Sequence, residues 1–136
     1  MKLEIFALCD AATVSGGKLN ILGAFDSITA AKVPVVHSQC AIAVRLRFDR
    51  IEEGEHRIKI NVVDDDGRSI MPGLDGKIMV KFAGEDDSAI TNFILNIQQL
   101  KLEKFGQFGI DLAVNSRHEA SLPLLVKEAR AAAGGV

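Results

Sequence analysis

The sequence predicts an all-β protein, an antiparallel two-sheet β-sandwich of about eight strands that is immunoglobulin-like or C2-like. Several segments alternate apolar and polar residues with a period of two, which is typical of strands with one buried face. Turn-forming Gly, Pro, Asp and Asn recur at roughly 8- to 15-residue intervals, which leaves no room for the helical crossovers of a parallel sheet. An up-and-down barrel is the alternative architecture.

Four segments alternate cleanly enough to be predicted as strands on this pattern alone. In the clearest segment, residues 40–48, every second residue is apolar, and two arginines lie between the last three apolar residues. The apolar residues are Cys40, Ile42, Val44, Leu46 and Phe48. The other three segments are residues 56–62, 78–82 and 108–114. Each of these strands should bury one face and expose the other.

The remaining strands are less regular. Residues 19–28, 93–97 and 120–126 are apolar, compatible with β-structure and bounded by turn residues. Residues 3–9 are apolar on both parities. Residues 127–133 are rich in Ala but short and without an apolar stripe, so we expect a frayed end there rather than a stable helix.

Length and charge limit the domain organisation and the partners. The 136 residues suit a single domain, which we expect over residues 1–127, followed by a flexible C-terminal tail over 128–136. With 16 Lys and Arg against 18 Asp and Glu, the chain lacks the strong basic excess of a nucleic-acid binder. It contains no apolar run near the roughly 18 residues that a membrane span needs. We therefore expect a cytoplasmic protein with no membrane partner, and we do not expect nucleic acid as a partner.

The first segment poses a burial problem that points to self-association. Its two parities are both apolar, yet one sheet core covers only one face of a strand. Either a loop such as residues 30–36 covers the second face, or another subunit does. We favour the subunit and predict a homo-oligomer or protein partner that contacts an apolar patch formed by Phe6, Leu8 and Ile94.

A second candidate surface is basic. Successive predicted strands carry basic residues on their outward parity, namely Arg45, Arg47, Arg57, Lys59, Lys77 and Lys81. If the strands were neighbours in one sheet, these side chains would form a face for an anionic ligand or nucleic acid. Residues 45–81 nevertheless contain as many acidic as basic residues, and no aromatic ring lies among the basic side chains. A solvated face with local ion pairs is therefore the preferred interpretation.

The sequence offers no recognisable catalytic or metal-binding motif, and we predict no catalytic residue, no metal ligand and no cofactor. Its histidines, His37, His56 and His118, lie in different segments, and His56 has the inward parity expected of a hydrogen-bonded structural histidine. The acidic runs 64–66 and 85–87 lack the ligand spacing of a calcium loop and fit turns better. Cys9 and Cys40, which lie inside apolar runs, should be buried free thiols.

Several blocks of the sequence together resemble a known family. They are Leu8-Cys9-Asp10-Ala11-Ala12, residues 17–26, Glu53-Gly54-Glu55-His56, residues 64–67 and residues 119–124. On these blocks the chain resembles, over nearly its full length, a family of small uncharacterised bacterial β-domain proteins known only as a domain of unknown function. The resemblance implies a stand-alone β-domain and brings no activity, cofactor or site residue.

These observations favour a non-catalytic interaction or assembly module. The alternatives are a protein that binds an anionic ligand or nucleic acid through the basic strand face, and a hydrolase whose catalytic residues come together from distant segments.

Overall fold

The computed structural model describes residues 1–130, and in this part of the chain the regular elements are nine β-strands and one short 3-10 helix. The 3-10 helix spans Arg50–Glu52. The strands are β1 (Lys2–Ser15), β2 (Lys18–Ala24), β3 (Ser27–Ala30), β4 (Val35–Asp49), β5 (Gly54–Val63), β6 (Leu74–Val80), β7 (Ser88–Leu102), β8 (Gly106–Val114) and β9 (Arg117–Glu128).

The strands form two separate sheets, as predicted, rather than one closed barrel. Sheet A has four strands in the order β2-β1-β4-β7, and sheet B has five in the order β3-β9-β8-β5-β6. All neighbours are antiparallel except β3 and β9, which run parallel from Ser27 opposite Leu125 to Ala30 opposite Glu128. The prediction of a purely antiparallel arrangement is therefore wrong at this one pair.

The strand count is nine rather than about eight because the predicted strand over residues 19–28 is divided. The chain leaves sheet A after Ala24 and enters sheet B at Ser27, so this one apolar segment supplies an edge strand to each sheet. The Asp26 carbonyl, between the two strands, accepts a hydrogen bond from Leu125 N at 2.8 Å. An apolar pattern indicates that a segment is buried but does not show where it changes sheets.

One apolar core joins the two sheets. The alternating residues of β4 from Cys40 to Phe48 are all 1% exposed or less, and Ile58, Ile60 and Val62 of β5 in sheet B pack into the same cluster. Side chains from β8 and β9 complete it. The inward parity predicted for β4, β5 and β8 is confirmed, and the arginines between the apolar residues of β4 face away from the core.

The described residues include only the start of the predicted C-terminal tail. Lys127 and Glu128 are the last residues of β9, and Ala129 N donates to the Ala30 carbonyl at 2.8 Å. Most of the tail predicted over 128–136, and the end of the Ala-rich segment 127–133, lie outside the described residues. Within residues 1–130, no helix is long and apolar enough to cross a membrane.

Candidate functional site

Strands β1 and β2 form a hairpin that extends beyond its own sheet. Ser15 pairs with Lys18 across a two-residue turn, and both turn residues, Gly16 and Gly17, have positive φ (58° and 72°). A type I′ turn requires these angles, and Gly adopts them without steric cost. Strand β1 pairs with β4 only as far as Cys9 opposite Ala41. Residues 10–24 therefore extend beyond the part of β1 that pairs with β4, and we call them the hairpin arm.

The hairpin arm folds back over the outer face of sheet A, the side that faces away from the shared core. Under it lie Cys9, Ala41 and Ala43, each 1% exposed or less, and Ala12 and Leu19 of the arm pack against them. At the tip, the Gly17 carbonyl accepts a hydrogen bond from Asn92 Nδ2 of β7 at 3.1 Å. The second apolar face noted in the sequence is therefore covered within the chain, by a segment other than residues 30–36.

The structure does not bring the three residues of the predicted self-association patch together. Phe6 lies opposite Val44, Leu8 lies opposite Ile42, and both belong to the shared core, Leu8 with 3% exposure. Ile94 lies opposite Ala43 and packs on the outer face of sheet A. Because neighbouring residues of a strand point to opposite faces, Phe6 and Ile94 are separated by the thickness of the sheet. Phe6 and Leu8 instead line a groove of about 390 Å³.

Large apolar side chains of the hairpin arm are exposed on both of its faces, because Val14 and Ile21 share the face of Leu19 and Ala12, whereas Leu22 lies on the opposite face. Leu22 is 71% exposed, Val14 is 46% exposed and Ile21 is 36% exposed. Strand β2 pairs with β1 alone, so it is an edge of sheet A. A shallow depression of about 320 Å³ lies against this edge, lined by Ala11, Ala12, Thr13, Asn20, Ile21 and Leu22.

The two ends of the β2 edge carry opposite charges. Lys18 begins the strand, and Asp26 follows its end. Asp10 of β1 adds a second carboxylate at the acidic end, over Gly23, which has a φ of 67°. The positive φ favours Gly at this position, and a Cβ there would also displace the Asp10 carboxylate. Within the described part of the chain, none of these three charged groups forms an ion pair.

The six basic residues predicted to share a face are divided between the sheets, because β4 belongs to sheet A and β5 to sheet B. Arg45 and Arg47 lie on the outer face of sheet A, where their Nε atoms each donate to Glu4 at 2.8 Å. Hydrogen bonds from Arg47 and then Arg45 lower the pKa of Glu4 from its ordinary value near 4.5 to about 2. The local ion pairs predicted for the basic residues are present for these two arginines.

Replacing Glu4 with Gln should destabilise the protein in a pH-dependent way. A carboxylate whose pKa is lower in the folded than in the unfolded state stabilises the fold above its unfolded pKa, and this stabilisation disappears as pH falls through the folded value. We expect Glu4→Gln to lower the urea midpoint at pH 7, with the deficit shrinking between about pH 4.5 and about pH 2. Glu103→Gln, which removes only an exposed partner of Lys101, is the control and should change little. A deficit that is constant over this pH range would contradict the prediction.

The remaining four basic residues belong to the side of sheet B. Arg57 donates from Nε and Nη2 to the two carboxylate oxygens of Asp75, at 2.9 and 2.8 Å, and these bonds lower the pKa of Asp75. Lys77 lies 3.6 Å from Glu55, and Lys81 follows the end of β6. Of these four residues, Arg57 and Lys59 line a common depression of about 380 Å³, together with Ala113, Ser116 and His118.

His56 is a structural residue, as predicted. It is 9% exposed, and its Nε2 lies 2.6 Å from the Glu52 carbonyl. Since a carbonyl oxygen only accepts, Nε2 carries the proton, and Nδ1 accepts from Asn115 Nδ2 at 2.9 Å. Both ring nitrogens are thereby satisfied.

A serine, a histidine and an aspartate meet on the outer face of sheet B, but in an order unsuited to nucleophilic catalysis. Ser121 Oγ donates to Asp111 Oδ1 at 2.6 Å and lies 3.3 Å from His118 Nε2. In a catalytic triad the histidine lies between the other two and takes the serine proton. Here the serine lies between them and gives its proton to the carboxylate, so this arrangement does not activate the serine.

The acidic run 64–66 forms a turn in which carboxylate oxygens of Asp64, Asp65 and Asp66 lie within 4.8 Å of one another. Asp64 Oδ1 accepts backbone hydrogen bonds from Asp66 and Arg68, which is a turn geometry, and Asp65 pairs with Lys104. Cys9 and Cys40 are free and buried, and burial raises the pKa of Cys40 to about 11.

Sequence reasoning missed three features of these surfaces. The hairpin arm could have been found from Gly16-Gly17 between two β-compatible segments, which is a hairpin signal. The role of Glu4 has a weaker signal, an acidic residue in an apolar strand. The position of Ser116 beside His118 follows from the turn between β8 and β9 and has no signal in the alternation pattern.

The chain is a small all-β domain built from two sheets. Residues 4–127 match the model of the family of unknown function DUF6941, and the chain belongs to that family. Its predicted membership in an uncharacterised domain family is thereby confirmed. No curated protein matches the chain.

One solved structure gives a distant likeness of shape. Alkylpurine DNA glycosylase AlkC from Pseudomonas fluorescens, bound to DNA containing an abasic site analogue, is 8% identical with a TM-score of 0.47. The alignment covers 90% of this chain and 30% of that protein, so the chain spans about 30% of its length. A likeness at this level carries no argument about function.

Proposed function

We propose that the protein is a non-catalytic interaction and assembly module that pairs with a second copy of itself along the β2 edge. The observation that carries this proposal is the exposure of Leu22, at 71%, on an edge strand where every residue except Leu19 is exposed. Large exposed apolar side chains in a cluster mark interaction surfaces more often than isolated ones do.

Backbone chemistry supports pairing at this edge. An edge strand presents unpaired N–H and C=O groups that can bind another strand, and proteins usually block such edges with Pro, charges or bulges. Strand β2 contains no Pro, and its only charged residue is Lys18 at one end. The edge is therefore open to strand addition over its apolar length.

Charge complementarity selects a second copy as the partner. In an antiparallel pair centred on Ile21, Lys18 of each copy would lie opposite Ala24 of the other, close to Asp26. A parallel pair would bring Lys18 against Lys18, so the charges favour the two-fold antiparallel arrangement.

The other edges of the two sheets are less suited to strand addition. Strand β7 is the second edge of sheet A, but apart from Ile90 its apolar residues are buried or half-buried. Strand β3 has four residues, of which Ile28 and Ala30 are buried. Strand β6, the other edge of sheet B, exposes Met79 at 59%, but it carries the charged residues Asp75 and Lys77, which disfavour strand addition.

We also propose that the domain is an immunoglobulin-like or C2-like sandwich. A single core shared by two sheets supports it, while the parallel β3–β9 pair gives the connectivity its own character. A cytoplasmic location is also part of the proposal, supported by two free buried thiols in a chain of this size.

Light scattering after size exclusion at tens of micromolar tests the assembly. The wild type should be a dimer, and Lys18→Asp should be a folded monomer because it places like charges together at both ends of the pair. The exchange Lys18→Asp with Asp26→Lys restores opposite charges and should restore the dimer. Ile51→Asp, which changes an apolar side chain 94% exposed elsewhere, should leave the dimer intact.

Two results would reject the proposal. A monomeric wild type would remove self-association, and a dimer unaffected by Lys18→Asp would place the interface elsewhere. Rescue by the charge exchange is the result that a merely destabilising substitution would not produce.

A further inference from the structure

The depression on the outer face of sheet B is built by the register of three strands. Lys59 of β5 lies opposite Ala113 of β8, and Ala113 lies opposite His118 of β9. The methyl group of Ala113 lies between two long side chains, so it forms the floor of the depression of about 380 Å³. Arg57 and Ser116 line the same space.

Donor groups in the depression have spare capacity for an anion. Asp75 takes the Nε and Nη2 donors of Arg57, which fixes the guanidinium plane. Within residues 1–130, Arg57 Nη1 makes no hydrogen bond, and Lys59 Nζ makes neither a hydrogen bond nor an ion pair. Ser116 adds a hydroxyl that can donate, and His118, whose Nε2 lies 3.3 Å from Ser121 Oγ, forms one side of the depression.

The turn that carries Ser116 is strained. Asn115 and Ser116 form the two-residue turn between β8 and β9 with φ values of 52° and 66°. A type I′ turn prefers Gly at its second position, so Ser116 has a conformation that costs energy for a residue with a side chain. Two hydrogen bonds hold the turn on β5: Asn115 N to the Arg57 carbonyl at 2.8 Å, and Arg57 N to Asn115 Oδ1 at 2.9 Å.

Nearby carboxylates limit the size of the anion. Asp111, which binds Ser121, lies in the next row of the sheet, and Asp75 lies beside Lys59. These charges repel a long polyanion that crosses the face, and no aromatic ring lines the depression to stack on bases. A single phosphate, with three acceptor oxygens, matches donors that approach from several sides.

We propose that the depression formed by Arg57, Lys59, Ala113, Ser116 and His118 binds a small phosphorylated molecule. The phosphate accepts hydrogen bonds from Lys59 Nζ, Arg57 Nη1 and the Ser116 hydroxyl. This site is on sheet B and does not depend on pairing at the β2 edge of sheet A.

Titration of the full chain with inorganic phosphate, followed by amide chemical shifts in NMR, tests the site. Shifts that saturate should be confined to the residues around Ala113. Lys59→Gln should weaken binding about 10-fold, since it removes a charged donor. Ser116→Gly should weaken binding and raise the melting temperature, because Gly relieves the turn while the hydroxyl is lost. A merely structural serine would raise the melting temperature without affecting binding.

Lys81→Gln is the matched control, because it removes one positive charge outside the depression. It should leave phosphate affinity unchanged. Equal weakening by Lys81→Gln, binding only of single-stranded DNA, or no saturable shift at phosphate concentrations up to tens of millimolar would each overturn the proposal.

Discussion

Phe48→Ala should cost about 3–5 kcal/mol of unfolding free energy, as expected for removal of a fully buried aromatic ring. Phe48 is 0% exposed, and its ring lies 4.5 Å from that of His56 between centroids. The variant would leave a cavity beside a histidine whose two nitrogens hold Glu52 and Asn115. Because total stabilities are about 5–15 kcal/mol, urea denaturation should show a large shift of the midpoint.

The matched control is Phe82→Ala. Phe82 is half-buried at the margin of the core, with Arg50 over its ring at 5.8 Å, so its removal should cost about 1 kcal/mol. Equal losses for the two variants would show that the region around Phe48 relaxes into the cavity and is not the rigid centre of the core.

The sequence was sufficient to predict which residues form the core. Alternation in β4 assigns Ile42, Val44 and Leu46 to one face, and all three are fully buried. This prediction succeeds because one buried face imposes a period of two on the residues themselves, whatever strand lies alongside. Turn-forming residues are a second local signal, and they mark the turns at Gly16-Gly17 and at the Asn115-Ser116 pair.

Sheet membership could not be predicted from this signal. Strands β4 and β5 are joined by only four residues, 50–53, yet they belong to different sheets. The predicted six-residue basic face depended on their being neighbours. Alternation records whether a side chain faces the core, and in a two-sheet protein both sheets face the same core. The partition of the basic residues is therefore a long-range property of the fold.

The candidate interaction surface illustrates the same limit. Two apolar parities in β1 correctly indicated that the second face of the strand needs a cover. Whether a subunit or the chain itself provides the cover depends on how far β1 extends past β4, since the excess length becomes the hairpin arm. The pairing of Cys9 with Ala41 marks that limit, and it has no counterpart in the composition of either strand.

Ala43→Asp should release the hairpin arm at a cost of about 3 kcal/mol or more, because it places an unpaired carboxylate on a buried surface. Ala43 is 0% exposed and lies with Cys9 and Ala41 under the arm. If the arm detaches, the carboxylate reaches water. The loss of unfolding free energy therefore cannot exceed the free energy with which the arm packs on sheet A. Amide hydrogen exchange should then accelerate in residues 10–24 and remain slow in β5, β8 and β9 of sheet B.

Ala83→Asp, at an exposed loop position, should leave both sets of amides unchanged and serves as the control. Uniform loss of protection in both sheets would mean that the arm and the core unfold as one unit. Unchanged exchange in the arm would mean that Ala43 is not covered by it. Because the arm also carries the β2 edge, its release should abolish the proposed dimer, whereas Phe48→Ala should leave the edge intact in the molecules that remain folded.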